Sequence, residues 1–497
     1  MKKKYLSKRN RDRISQKNIW RCTLLCLSIN SVSAAESERP HIAFSERVSD
    51  FFRPKTDTQF NTVQLQQLSK YQEDQSLIQL DAQPNNTLSS MRFSEAVRYA
   101  LLRNPSVGQK ISMVAVQNSN IDAAKSQYYP QISGGIGTGD LSSSQRGSQL
   151  LSLTATQMLY DFGKVKSSVD TQKAKLLLEQ ANVLISIDDI AYQVSFAIVS
   201  IERYRKNVQI AQQQIAGIAR ILEIAQLRAR AGISSQADPI QAESYLQSAQ
   251  SNLIAQQSLL QQYQQRLSIL LGFDSSHQQW DIPQQLIQAS SLYDSPEYNL
   301  IPRMIAAQIG IEVAKAEKKQ IDLTRYPTLA LKGSVSQAIN GVNPGNNKDN
   351  GFDQAIMLEA SSNFYQGGAT SARTRAASYA EEAARANLNA VYLEVQDEVR
   401  TIRETIENKQ LQMQVLRARQ NTTVQTRELY QEQYKLGTRT VLDLLNAEMG
   451  IHTAISELEN ARYDIYASLA QYISSTGKTR QAYDLNNISI QGFEVQP

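Results

Sequence analysis

Two proline-free stretches of about 67 residues, Lys164 to Arg230 and Ala369 to Lys435, constrain this chain more than anything else in it. As helices, each would run on the order of 100 Å at 1.5 Å per residue. No single globular domain needs such a helix; a coiled-coil assembly does. The two stretches also occupy the same place in a duplicated unit. Gly232, Asp238, Ala242 and Glu243 return as Gly437, Asp443, Ala447 and Glu448 at an offset of 205. Tyr160, Gly163 and Gly272 map onto Tyr365, Gly368 and Gly477 at the same offset, and Tyr129-Pro130 onto Tyr326-Pro327 at 197. A length difference inside one hairpin explains the change. An internal repeat of this kind sets the architecture before any single motif does.

The division that follows is repeat 1 over 92–273, a linker over 274–293 and repeat 2 over 294–477, with a C-terminal tail over 478–497. Each repeat reads as a helix (Ser94 to about Ser126; about Leu300 to Leu323), a β-hairpin (129–160; 326–365), the long helix, a glycine turn and a last helix. Leu184, Ile187, Ala191, Val194, Ile198 and Ile201 step three and four alternately, which is a heptad seam. Leu388, Val391, Val395, Val399, Ile402 and Ile406 include two successive steps of four, which loosens left-handed supercoiling.

The hairpins alternate with period two. Leu151, Leu153 and Ala155 interleave with Ser152, Thr154 and Thr156; Leu329, Leu331 and Val335 with Lys332, Ser334 and Ser336; Ile356, Leu358 and Ala360 with Met357, Glu359 and Ser361. That pattern gives strands with one apolar and one polar face. Their length of about ten residues suits a tilted strand crossing a bilayer. A half-buried sheet in water is the plainer alternative, but the helices pack among themselves and leave nothing to cover such a sheet. Four strands cannot close a membrane barrel, which takes about eight or more, and open edges are not tolerated in lipid. Copies of the chain would have to pool their strands, about eight in a dimer or twelve in a trimer.

Residues 1–34 carry an export signal: a basic segment, a short apolar stretch around Leu24, Leu25 and Leu27, and Val32-Ser33-Ala34 as cleavage site. Nine Lys or Arg and one acid lie there, so the formal charge of +5 becomes about −3 after cleavage and implies no nucleic-acid partner. Both cysteines fall inside the signal, and Thr23-Leu24-Leu25-Cys26 is a poor lipidation box. Residues 35–91, rich in Gln, Ser and Asp, read as an irregular extension. Three scattered His and two Cys exclude a His/Cys zinc site and a disulfide framework. No P-loop motif, nucleophile–base pair or further 18-residue apolar run is evident, so no enzyme, cofactor, metal or transmembrane helix is expected. The run Gly134 to Gly139 has the wrong spacing for a phosphate loop and reads as strand.

An exported chain of two helix–hairpin–long helix–helix units resembles the TolC family of outer-membrane channels. The resemblance spans about 92–477. It rests on Tyr434, Gly437-Thr438-Arg439-Thr440, Asp443 and Ala447, followed by Asn460-Ala461-Arg462-Tyr463-Asp464 and the closing Gly477. It implies a mainly α fold with a transmembrane β portion: a homotrimer whose 12-stranded outer-membrane barrel continues into a periplasmic helical tunnel. It also implies outer-membrane lipid around the barrel, a periplasmic adaptor and an inner-membrane ABC or proton-driven transporter, with efflux or type I protein secretion as the task.

By the same resemblance, Asp443 would point into the pore as one of three in an acidic ring. Many members carry a second Asp one turn on; here Asn446 stands there and weakens the constriction. Arg439 and Tyr434 would latch the second tip to the first, where Asp238 is the partner. Gly232, Gly437 and Thr438 form the tip turns that an adaptor would meet. Ser235-x-x-Asp238 and Thr440-x-x-Asp443 both also fit a capping box. For Asp238 cap and gate stand equal; for Asp443 the neighbouring Arg439 favours gate. The alternative function is an exported coiled-coil scaffold without a pore.

Overall fold

The computed structural model describes residues 91–139, 148–282, 287 and 290–495. The signal, nearly all of the extension, the tip of the first hairpin and a short part of the linker lie outside them.

The chain enters with α1 (Phe93–Arg103) and α2 (Pro105–Lys125). One continuous helix was expected here. It breaks because Pro105 has no N–H to donate and disfavours a helical residue before it. Asn104, held in an extended conformation, caps α2 by accepting from Ser106 N at 2.9 Å. Strands β1 (Gln131–Gly139) and β2 (Ser148–Tyr160) form the first hairpin. The long helix α3 (Lys164–Arg230) and its partner α4 (Ala237–Leu271) complete the unit. Asp161 starts α3 by accepting from Gly163 N and Val165 N at 2.8 and 2.6 Å.

The second unit repeats the order. It has α5 (Pro302–Leu323), β3 (Thr328–Asn340), a small β4 (Val342–Asn343) and β5 (Lys348–Asp349) ribbon, β6 (Phe352–Ser361), α6 (Ala369–Lys435) and α7 (Val441–Ser475). The chain beyond Gly477 is not a loose tail. It makes α8 (Thr479–Ala482) and the hairpin β7 (Ile488–Ile490) and β8 (Phe493–Val495). Tyr483, Leu485, Ile490 and Val495 are buried there. Gln491 Nε2 donates to the Leu101 carbonyl, which Pro105 leaves without its helical donor, and to the Asn104 carbonyl, which also accepts from Gly108 N.

Strands β1, β2, β3 and β6 form one antiparallel sheet in that order. The register pairs Gly134 with Leu153, Leu153 with Val335, and Leu331 with Leu358. The apolar set therefore lies on one face, and that face is bare: Ile136 is 70% and Ile356 82% exposed. The run Gly134 to Gly139 lies in β1.

Below the sheet, α3 packs on α2, α4, α5 and α7, and α6 packs on α5 and α7. The expected seam residues Ile187, Ala191, Val194, Ile198 and Ile201 are buried with Val395, Val399, Ile402 and Ile406 of α6 in one core half-way down the bundle. By length and composition α3 contains one stretch able to cross a membrane, where none is expected from the sequence. Since 67% of that stretch is buried among other helices, it is a core segment.

Candidate functional site

The two helical hairpins end in turns of one design. Gly232 and Gly437 adopt φ of +71° and +78°, which only glycine tolerates easily. In the first turn Gly232 N donates to Ala229 O and Ile233 N to Arg228 O; in the second Gly437 N donates to Tyr434 O and Thr438 N to Gln433 O. This is the Schellman pattern that satisfies the last carbonyls of a helix. Thr438 Oγ1 adds a further bond to Gln433 O at 3.0 Å.

Past the turns the hairpins differ. Thr440 and Asp443 form a reciprocal capping box: Thr440 Oγ1 accepts from Asp443 N at 3.2 Å, and Asp443 Oδ2 accepts from Thr440 N at 3.4 Å and also from the Thr440 hydroxyl at 2.9 Å. Asp443 thus starts α7 while keeping 37% of its side chain exposed. The equivalent box at Ser235 and Asp238 does not form. Ser235 Oγ accepts from Ala237 N, and Asp238 N bonds to the Ser235 carbonyl instead. The difference follows from Gln236, whose helical backbone precedes α4 and leaves Ser235 one residue too early to cap.

Within one protomer Arg439 stays on its own hairpin. Its Nε donates to Gln433 Oε1 at 3.0 Å, its Nη1 lies 3.9 Å from Asp443 Oδ2, and its guanidinium covers the Tyr430 ring at 4.6 Å. Tyr434 does reach the first hairpin. It is 3% exposed, in a small tip core with Ile218, Ile221, Ala225, Ala242 and Leu444. Its hydroxyl has no hydrogen-bond partner among the described residues. Burial pushes that hydroxyl's pKa up, Asp238 adds to the push, and Arg228 opposes it.

Two residues outside the expected set join the tips. The Arg228 guanidinium stands 4.9 Å over the Tyr434 ring and donates from Nη1 to Lys435 O at 3.2 Å. Tyr245 Oη donates to Asn446 Oδ1 at 3.0 Å, so Asn446 is a contact of α4. A sequence signal for Arg228 existed: it is the repeat counterpart of Gln433, at the offset of 205, yet charged.

One turn above, Glu448 is 5% exposed between His452 Nε2 at 3.2 Å and Arg427 Nη1 at 3.6 Å. Burial would raise its pKa, but His452 and Arg427 more than offset this and hold the carboxyl below its ordinary range. Higher still, Asp464 ties α7 to both long helices, with Arg203 at 2.6 Å and Lys409 at 2.7 Å. Among the described residues no group of three or more His, Cys, Asp or Glu could hold a metal ion.

Comparison with known proteins gives this arrangement its context. The profile described as outer membrane efflux protein matches residues 96–273 and 300–478. The outer membrane protein TolC of Vibrio cholerae is 24% identical over 391 residues, covering 74% of this chain and 87% of its own. The outer membrane efflux protein BepC of Brucella suis is 24% identical over 410 residues, covering 78% and 86%. Among solved structures, the CmeC outer membrane channel of Campylobacter jejuni shares the fold, with a TM-score of 0.66 at 14% identity over 81% of this chain and 86% of its own. The two matched segments fall on the two hairpin-bearing units, each ending one residue past its closing glycine, and the chain belongs to the outer membrane efflux protein family, that of TolC, and to the outer membrane.

Proposed function

We propose that the chain is the exit duct of a tripartite export system, passive itself and gated at its helical tips. The observation that carries this is the sheet. Its edges, β1 and β6, have no partner strand among the described residues, and its apolar face is bare. An open four-stranded sheet cannot lie in lipid, because unpaired N–H and C=O groups there have nothing to bond. Pairing β6 of one copy with β1 of the next closes a barrel of twelve strands in a homotrimer. The helices support the same ring. The flanking α4 and α6 leave Ile240, Ile254, Leu411 and Val415 at least 60% exposed, a surface for a neighbouring copy.

In the ring the tips converge. Asp443 and Asn446 would set the constriction, and Tyr434 with Asp238 would hold the two hairpins of one protomer together, reinforced by Arg228. Arg439 would act between protomers or on its own cap. Gly232, Gly437 and Thr438 present the turns to a periplasmic adaptor, which links the duct to an inner-membrane ABC or proton-driven transporter. One cation–π contact amounts to about 0.5–2 kcal/mol. Three per trimer hold a closed tip that a docking partner can still open.

The test is single-channel conductance of the purified protein in planar bilayers, beside Arg228→Ala and Arg439→Ala. A small, stable conductance that rises in either variant supports a gated duct. Pores unchanged in both move the gate elsewhere. No pores from a folded, heat-resistant oligomer leave the coiled-coil scaffold as the function.

A further inference from the structure

We infer that the groove between α5 and α6, just below the sheet, binds the phosphate of an anionic phospholipid in the periplasmic leaflet. This rests on the barrel reading above and adds a headgroup site to it. The groove encloses about 600 Å³ and is lined by Lys315, Lys318, Lys319, Arg325, Tyr326 and Thr374, with Asp322 and Glu381 as its acids. The cations outnumber the acids, and the acids are engaged. Glu381 takes Lys318 at 3.0 Å and Arg385 at 2.9 Å. Asp322 accepts from Thr374 at 3.2 Å and lies 3.7 Å from Arg325. Lys319 has no ion-pair or hydrogen-bond partner among the described residues. Arg325 makes one bond, from Nη2 to Thr374 Oγ1 at 2.9 Å, and keeps its remaining donors for a ligand.

The aromatic side chains place the groove relative to the membrane. Tyr326, at its upper rim, stacks on Phe162 at 5.4 Å, and Phe162 meets Tyr160 edge-on at 4.8 Å. Tyr160 pairs in register with Leu329, on the apolar face of the sheet. Clustered aromatic rings at the edge of an apolar band mark the level where hydrocarbon gives way to headgroups. Polar headgroups occupy about 5–7 Å beyond that level. Arg325 adjoins Tyr326, and Lys319 lies two turns below it, within reach of a lysine stem extending upward. A phosphodiester at that depth would meet a cationic groove beside an aromatic rim, and a net anionic lipid fits it better than a zwitterionic one.

The experiment is lipid retention by the intact protein, delipidated in detergent and titrated with phosphatidylglycerol or phosphatidylethanolamine, read by native mass spectrometry. Wild type should prefer phosphatidylglycerol. Lys319→Gln with Arg325→Gln should weaken that binding about 30-fold, as expected for two cations lost at a membrane surface. Lys206→Gln, on the exposed side of α3 far from the sheet, should leave it unchanged. Conductance and heat-resistant oligomers of the double variant check that it is folded; Lys319→Glu alone serves if it is not. Equal retention in wild type and variant, or full competition by inorganic phosphate, overturns the inference while the duct stands. Failure to insert into any bilayer overturns the barrel reading itself.

Discussion

Replacing Asp188 by Asn should make the protein more stable at pH 8 and leave it nearly unchanged at pH 4.5. Asp188 lies on α3 in the middle core, 6% exposed, against α8 and the end of α7. Burial pushes its carboxyl up to about 7. The Thr479 hydroxyl and the Arg480 and Arg303 charges pull it down, and Asp189 next to it pushes it up. Of the groups that pull it down, the Thr479 hydroxyl is the strongest, and burial outweighs them all. Tyr483, whose own hydroxyl is raised to about 12, meets Ser195 Oγ at 2.8 Å on the same side and adds no positive charge.

A carboxyl whose folded pKa is raised stabilises the fold below its unfolded pKa, and that stability is lost as pH rises through about 7. Three units at about 1.36 kcal/mol each set a ceiling of about 4 kcal/mol, about 3 of it falling between pH 4.5 and pH 8. For a chain with roughly 400 ordered residues the unfolding entropy is about 0.8 kcal/mol/K, so the wild type should lose about 4 °C of apparent Tm over that interval through this group. Asp188→Asn should remove that part of the slope. Trp280, 5% exposed in the same core and bonded through its backbone N to Glu202, is a suitable fluorescence reporter. Equal slopes for wild type and variant would refute the assignment, as would a variant less stable at both pH values.

Three other expectations follow from the tip and the bundle. Arg228→Ala should raise single-channel conductance while leaving Tm within a few degrees, because one partly exposed cation–π contact amounts to about 0.5–2 kcal/mol; an unchanged current would remove Arg228 from the closed tip. Gly217→Ala places a Cβ against the Glu448 carboxylate, so it should destabilise by about 1–3 kcal/mol despite alanine's better helix propensity, and pairing it with Glu448→Asp should recover part of the loss in a thermal melt. Glu448 is held below its ordinary pKa, so its contribution is present above pH of about 4.5 and is lost as acid protonates it; Glu448→Gln should flatten the acid side of a Tm-against-pH curve, and a curve of unchanged shape would refute this.

The long helices, the turns and the strands were legible because each rests on a local rule. Absence of proline, a glycine needing positive φ, and period-two alternation all act within a few residues. The fate of Arg439 was not legible for the opposite reason. Whether it faces Asp238 or Gln433 depends on how two hairpins lean on one another, and no local rule fixes that. The break at Asn104 was locally signalled by Pro105 and was still missed, since the apolar spacing continues through it from Ala100 to Val107 and Ile111. The partners of Arg228 and Arg203 were not legible, because Tyr434 and Asp464 lie more than 200 residues further along the chain.

The divergence of the two units has a structural rationale in the proposed trimer. A ring of three is closed by heterologous contacts, in which one surface of a protomer meets a different surface of the next. Two identical repeats would offer equivalent flanks and could not distinguish the inner joint of a protomer from the joint between protomers. Here the inner joint is made by α3 and α7, whose facing sides are closely buried. The flanks are α4, rich in Gln with isolated Ile, and α6, rich in Arg and Glu. The tips diverge in the same sense: the first carries Arg228, pointing inward to Tyr434, and the second carries Arg439, packed on Tyr430 at its own surface. An arginine fastening each protomer to itself and another exposed at the tip surface is the arrangement a ring needs if its entrance is to open without its protomers coming apart.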